Sequence, residues 1–273
     1  MTRKKITGEL PSFTFVSFGV TVKIESNFPE LLAEAMAVAQ TSLLGNIKAV
    51  RSKTADVTFR LEQRGPQSYR LHLNGEPVSS GRSRWKFVKF FEALLRATVG
   101  EWAPEHVVLH AGVVGWKGKA IVMPADSFKG KSTITAELVR RGAAYYSDDF
   151  AILDKNGRVH AFPRMISMRD EKYRPYLLHP ESLGGRRDEK PISVGLVLFT
   201  EYKKEAKWRP RVSTGGQGVL DMIPYALSFR RNPEFCLRVL NLVAGRAIIA
   251  SSPRGTAEEF SQLILDYVDK NVN

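Results

Sequence analysis

Residues 120–142, AIVMPADSFKGKSTITAELVRRG, restrict the fold of this chain more than any other stretch. The apolar run 120–123 reads as a strand, and Ile134, Leu138 and Val139 recur at helical spacing after Lys131. The loop between them follows the pattern G-x-x-x-x-G-K-[ST] at every fixed position but the first, where Ala125 stands. Asp126, Ser127, Phe128 and Lys129 fill the variable positions before Gly130, Lys131 and Ser132, and Thr133 completes the first helical residues. Gly130 lets backbone amides turn toward an anion with no Cβ in the way. Lys131 offers a point charge to β- and γ-phosphates, and the Ser132 hydroxyl suits Mg²⁺. The helix begins at the phosphate, so its first amides and its dipole favour negative charge. Alanine at 125 is strained only if φ is positive there, at about 1 kcal/mol. Phe128, at a variable position, is free to point away. Phosphate binding is therefore expected to survive both departures.

Ser147-Asp148-Asp149 lies in the next apolar run, AAYYSDDFAILD, which reads as a strand. An aspartate pair by itself reads as a solvated turn. After a phosphate loop and its helix it supplies what the loop lacks, namely carboxylates for an ion and for an acceptor's proton. Neighbouring strand residues point to opposite faces, which would divide those tasks between the two.

Around this core the chain changes character once, after Pro104. Before it, residues 13–25 alternate as a strand, 29–44 carry a proline-led helical pattern, and DVTFRLEQ and SYRLHLNGEPVS alternate around an Asn74-Gly75 turn. An amphipathic helix, RWKFVKFFEALLRATVG, completes a small α+β module at 1–104 in which nothing suggests chemistry. After it, apolar runs (HVVLHAGVVG, KAIVMPA, SVGLVLFTEY, RAIIAS) alternate with helical stretches at 131–141, 215–228, 233–244 and 256–270. That alternation argues for an α/β domain at 105–273.

The net charge of +13 over 273 residues points to acidic partners, although surplus lysine also serves solubility. The basic residues are spread over RSRWK, GRRD, YKKEAKWRPR and FRRN without a recognition helix, which ranks nucleic acid last among those partners. One cysteine, Cys236, in an apolar helical context, excludes an internal disulfide and reads as a buried thiol. No stretch approaches the roughly 18 apolar residues of a membrane span, and the N-terminus lacks a secretory pattern, so a cytoplasmic location and no membrane partner are expected.

Taken together, His110 in LHAGVV, ADSFKGKST, Arg141-Gly142, Ser147-Asp148-Asp149 and FPRMISMR resemble the HPr serine kinase/phosphorylase family, and more closely its HPr-kinase-related branch. The similarity covers residues 105–170 well and the remainder only in its order of elements. It implies a P-loop-containing, HPr-kinase-like core that uses ATP and Mg²⁺, with Lys131 and Ser132 on phosphates and ion. It further implies Asp148 as base or acid at a seryl hydroxyl, Asp149 as metal or histidine partner, and His110 near the transferred phosphate. Family members are often oligomeric, so a homo-oligomer is a further expectation. The family's IRGLGI-like segment is missing and MRDEKYRPYLL stands in its place, which sets phosphorylase activity and HPr itself apart from the expectation.

The sequence thus reads as an ATP- and Mg²⁺-dependent kinase acting on a serine of a protein or peptide, an acidic one by charge. Arg164, Arg169, Arg186 and Arg187 are candidates for contacting nucleotide or substrate, the last two also reading as a solvated face. The alternative is a non-catalytic nucleotide sensor with a degenerate loop, in which ADP or ATP biases a binding surface.

Overall fold

Alternating apolar residues and two amphipathic helices build the first of two units. In the computed structural model, which describes residues 10–126, 129–170, 172–185 and 190–272, the chain divides into Met1–Pro104 and Glu105–Asn273. The first unit runs β1 (Ser12–Ser17), β2 (Val20–Ser26), α1 (Pro29–Ser42), β3 (Lys48–Ala49), β4 (Val57–Gly65), β5 (Ser68–Leu73), β6 (Glu76–Gly81) and α2 (Arg84–Trp102). Its sheet has the order β3-β1-β2-β4-β5-β6, with β2 and β4 parallel across the α1 crossover. Pro29 opens α1 and the Ser83 hydroxyl accepts from Lys86 N to cap α2. The helices bury Leu31, Ala35, Phe87, Phe91 and Leu95 against Val22, Ile24, Phe59 and Leu71. Residues 13–25, expected as one strand, are a hairpin that turns at Phe18 (φ 48) and Gly19 (φ 80). The two-residue turn moves the buried face from Phe15 and Ser17 to Val20, Val22 and Ile24, while apolar Val16 and Phe18 carry the even-numbered alternation of the sequence on across it.

The second unit runs β7 (Val107–Trp116), β8 (Lys119–Pro124), α3 (Lys131–Arg140), β9 (Ala144–Ser147), β10 (Phe150–Leu153), β11 (Arg158–His160), β12 (Ile166–Arg169), β13 (Pro175–Leu178), β14 (Ile192–Phe199), β15 (Arg211–Val212), α4 (Gly215–Met222), α5 (Pro233–Ala244), β16 (Ile248–Ser251) and α6 (Ala257–Asn271). The chain is therefore mixed α/β. Its main sheet has the order β11-β10-β7-β8-β14-β16-β15, with β9 also on β7, and β8, β14 and β16 are parallel. Helices cover both faces. One core layer joins Leu109, Ala111 and Val122 to Met222, Cys236, Val239 and Leu240 of α4 and α5. The other joins Ile121, Met123 and Leu196 to Ile134, Leu138, Ile264 and Leu265 of α3 and α6. Alternation along each buried strand feeds the two layers in turn. Cys236 is buried in the first layer, and burial holds its thiol above the usual range.

Two boundaries differ from expectation. The run 215–228 is helical only to Met222 and continues as short 3₁₀ turns, because Pro224 and the turns around Ala226 interrupt the ladder. AAYYSDDFAILD is two strands, not one. Both pair with β7, β10 through Phe150↔His110 and β9 through Val113↔Ser147, and Asp148-Asp149 falls in the break between them. Among the described residues no helix is long and apolar enough to cross a membrane.

Candidate functional site

Because β8, β14 and β16 are parallel, their carboxyl ends at Pro124, Phe199 and Ser251 open on one edge of the sheet. Ligands of open α/β sheets bind outside that edge. The loop after β8 ends at Gly130, which is left-handed at φ 80 and caps α3. A Cβ on Gly130 would run into the Arg254 guanidinium, so glycine is required there both for its backbone and for its bareness. Ala125 is not among the residues with positive φ, and it is buried with its N–H donating to the His110 carbonyl at 3.4 Å. Alanine therefore sits unstrained where the loop pattern has its first glycine. Ser127 and Phe128 lie outside the described residues.

Lys131 opens α3 and is 9% exposed, its aliphatic stem held close to β7 because Gly112 has no side chain: a Cβ there would lie 3.1 Å from Lys131 Cγ and 2.5 Å from Thr135 Oγ1. Its Nζ lies 2.7 Å from His110 Nε2 and 3.5 Å from the Ala125 carbonyl. An ammonium only donates, so His110 is neutral here and accepts through Nε2. Burial, then the Lys131 charge, lowers the His110 pKa, in keeping with that state. Burial also lowers the Lys131 pKa, while Asp148, Asp149 and Asp126 pull it back up.

Ser132 Oγ donates to Asp148 Oδ2 at 2.9 Å, and the Ser167 amide donates to the same oxygen at 3.2 Å. Asp148 Oδ1 is buried without a hydrogen-bond partner among the described residues. Burial lifts this carboxyl to about 7, against the pull of Ser132, the Ser167 amide and Lys131. Asp149 is more open, its side chain 28% exposed, with Arg164 Nη1 3.3 Å from its Oδ2. The break between β9 and β10 sets this geometry. Asp149 has its carbonyl on Ala111 N, next along β7 from His110, so strand pairing itself brings the carboxylates to the histidine.

Of the residues singled out by sequence, Lys131, Ser132, His110, Asp148, Asp149 and Arg164 come together. Lys129 turns away to Glu201 at 2.6 Å, Thr133 is exposed, and Asp126 is exposed at the rim of a cavity of about 700 Å³. That cavity adjoins the loop on the β14 and β16 side, with Lys129, Thr200, Arg209, Arg211 and Tyr225 in its wall. A second cavity, of about 480 Å³ beside α5, shares no residue with it. Arg169 donates to the Tyr173 carbonyl, and Arg186 and Arg187 lie outside the described residues. Sequence reasoning missed Gly112 and Arg254. Gly112 had no local signal beyond being a glycine inside a strand, and Arg254 becomes visible only once β16 is known to run parallel to β8. No protein-family model matches the chain, and no curated protein matches it.

Proposed function

We propose that the chain is an ATP- and Mg²⁺-dependent phosphotransferase, with a P-loop core like that of the HPr serine kinase/phosphorylase family, acting on a serine hydroxyl of a protein or peptide. The observation that carries this reading is the convergence of Lys131, Ser132, His110, Asp148 and Asp149 at the N-terminus of α3. The residues fit the ion and the anion it would accompany. Asp148 Oδ1 is a buried oxygen in want of a partner, and Gly130, left-handed at φ 80, caps α3 without a Cβ. Held by Ser132 Oγ and Asp148, Mg²⁺ would neutralise charge on the β- and γ-oxygens. The amides of the first α3 turn and Lys131 bind those phosphates, and neutral His110 keeps the ammonium in place.

In the transfer, the serine oxygen bonds to the γ-phosphorus, the bond to the β–γ bridging oxygen breaks, and ADP leaves. The serine proton passes to a carboxylate. Sequence reasoning gave that task to Asp148 and the ion to Asp149. Hydrogen bonding favours the reverse, because Asp148 is tied to Ser132 and nearly buried whereas Asp149 is open to an acceptor. Arg164 Nη1, 3.3 Å from Asp149 Oδ2, holds that carboxylate in place, and a loose transition state asks little base strength. The acceptor side is flanked by the β12–β13 hairpin, whose Ser167 amide binds Asp148 and whose Tyr173, Tyr176 and Leu177 are exposed. The charge of +13 favours an acidic acceptor. The loop-side cavity offers room for a nucleoside.

The test is transfer from labelled ATP with Mg²⁺ to acidic serine peptides, alongside calorimetric binding of Mg–ADP. Lys131→Ala is expected to lose nucleotide affinity. Asp149→Asn is expected to bind normally and lose about 10²- to 10⁴-fold in rate. Asp148→Asn is expected to weaken the Mg²⁺ dependence. The sensor reading draws on the Asp148 pKa near 7, which leaves that carboxyl part-protonated at neutral pH. Tight binding of ADP and ATP with no turnover on any acceptor would replace the kinase by the sensor, and no binding of either would remove both.

A further inference from the structure

Arg254 follows β16 in the sequence SSPRG and is 2% exposed. Its backbone is fixed on both sides to the segment after β14, through Arg254 N to the Glu201 carbonyl at 3.0 Å and Lys203 N to the Arg254 carbonyl at 2.8 Å. The guanidinium reaches across that edge of the sheet to the phosphate loop. Nη2 donates to the Gly130 carbonyl at 2.7 Å and Nη1 to the Gly255 carbonyl at 3.2 Å, while the buried Nε has no partner among the described residues. No carboxylate of the described residues forms an ion pair with it. Burial pushes its pKa down and only the Tyr202 phenol pulls back, yet a guanidinium stays charged.

A buried cation without a counter-ion is strongly unfavourable. This one also sits on the Gly130 carbonyl at the N-terminal end of α3, so a buried cation and the positive end of a helix dipole meet at one turn of chain. An anion seated on the loop relieves both. A second, more local effect points the same way. The Gly130 carbonyl and the Lys131 N–H belong to one peptide group, and a charged donor on the oxygen draws electron density from the nitrogen. That N–H is a first-turn amide with no acceptor in its own helix. Arg254 therefore acts on the amide that faces the ligand without touching the ligand.

We propose that Arg254 is a positioning residue for an anionic phosphate ligand: through the Gly130–Lys131 peptide it strengthens an amide of the cradle, and its charge is balanced only when a phosphate is bound. The inference rests on the phosphate-loop reading above. Inorganic pyrophosphate with Mg²⁺ is the probe, on the full chain, with thermal midpoint and calorimetric affinity as readouts. Arg254→Met removes a charge but leaves the Gly130 carbonyl its bond from Ile134 N. The unliganded variant is expected to melt no lower than wild type, and higher if the charge penalty dominates, while binding pyrophosphate at least about tenfold more weakly. Arg254→Lys is expected to regain part of the affinity. A latch without electrostatic function gives the opposite signs: a midpoint several degrees lower without ligand and wild-type affinity, which overturns the proposal. Should the Met variant not fold, Arg254→Gln keeps a neutral donor to Gly130 and decides alone, wild-type affinity overturning the proposal and weak binding supporting it. Wild type that responds to neither pyrophosphate nor Mg–ADP removes the phosphate-loop reading along with this one. Wild type that responds, with a Met variant that responds equally, removes this one alone.

Discussion

Asp148 has a proton affinity that follows from its surroundings and not from its type. Burial raises its pKa from 3.8 to about 7 even though Ser132, the Ser167 amide and Lys131 all favour the charged form. The sign of the stability effect follows from which state holds the proton. Between pH 4 and 7 the folded protein keeps a proton that the unfolded chain has released, so stability falls as pH rises through that window and levels off above about 7. The loss amounts to about 4 kcal/mol at the plateau. Asparagine at 148 can still accept from Ser132 and Ser167 but has nothing to titrate. Asp148→Asn is therefore expected to remove this descending limb, and its stability gain over wild type grows from pH 4 to pH 7. Urea unfolding of both proteins across that range checks it. A gap that does not change with pH would mean that Asp148 titrates as an ordinary aspartate. The sequence made the pair Asp148-Asp149 visible as carboxylates near a phosphate loop. It could not say which was buried, because that depends on the break between β9 and β10 and on a backbone amide from β12.

At the level of elements, α3 lies against β7 as closely as it does because Gly112 presents no side chain to it. An added Cβ would stand 2.5 Å from Thr135 Oγ1, closer than real Cβ contacts come, and 3.1 Å from Lys131 Cγ, a tight contact that the lysine stem would have to yield to. Gly112→Ala is expected to push the helix outward, destabilise by about 1–3 kcal/mol and weaken Mg–ADP binding, since Lys131 rides on the displaced turn. Gly118→Ala is the control. Gly118 sits at φ 80 in the β7–β8 turn with nothing within 4 Å of an added Cβ, so it costs about 1 kcal/mol in backbone strain and leaves affinity alone. Equal loss of affinity in both variants, read by calorimetry, would sever the link between helix position and binding. The strand, loop and helix around Lys131 were legible because period, turn chemistry and the GKS triplet agree over a short span. The hairpin at Phe18-Gly19 was not, because Val16 and Phe18 continue the apolar spacing of Val20, Val22 and Ile24, and the interruption at Asp148-Asp149 was not, because the apolar runs on either side of it read as one strand. Arg254 was invisible for a different reason: its partner Gly130 is far away in sequence, and only sheet order makes them neighbours.

For the molecule as a whole, the two units have separate cores, and every residue assigned to the site belongs to the second. His110, Lys131, Ser132, Asp148, Asp149, Arg164 and Arg254 all lie within Glu105–Asn273, and the strand that carries His110 begins at Val107, just past the boundary. That unit buries apolar layers on both faces of its sheet, between α4 and α5 on one side and α3 and α6 on the other. The described residues of both layers all come from Glu105–Asn273. A fragment of residues 105–273 is thus expected to unfold in one cooperative transition and to bind Mg–ADP within about threefold of the full chain, the scatter allowed between independent parts. Transfer to a peptide is a separate matter, because the first unit carries exposed Trp85, Phe90 and Val78 that a macromolecular acceptor could use. Comparing the fragment with the full chain therefore separates two properties in one experiment. Retained nucleotide affinity with reduced peptide transfer assigns the first unit to acceptor capture. A fragment that melts cooperatively but no longer binds Mg–ADP would show that residues 1–104 complete the nucleotide site, and the division of labour argued from the two cores would be wrong.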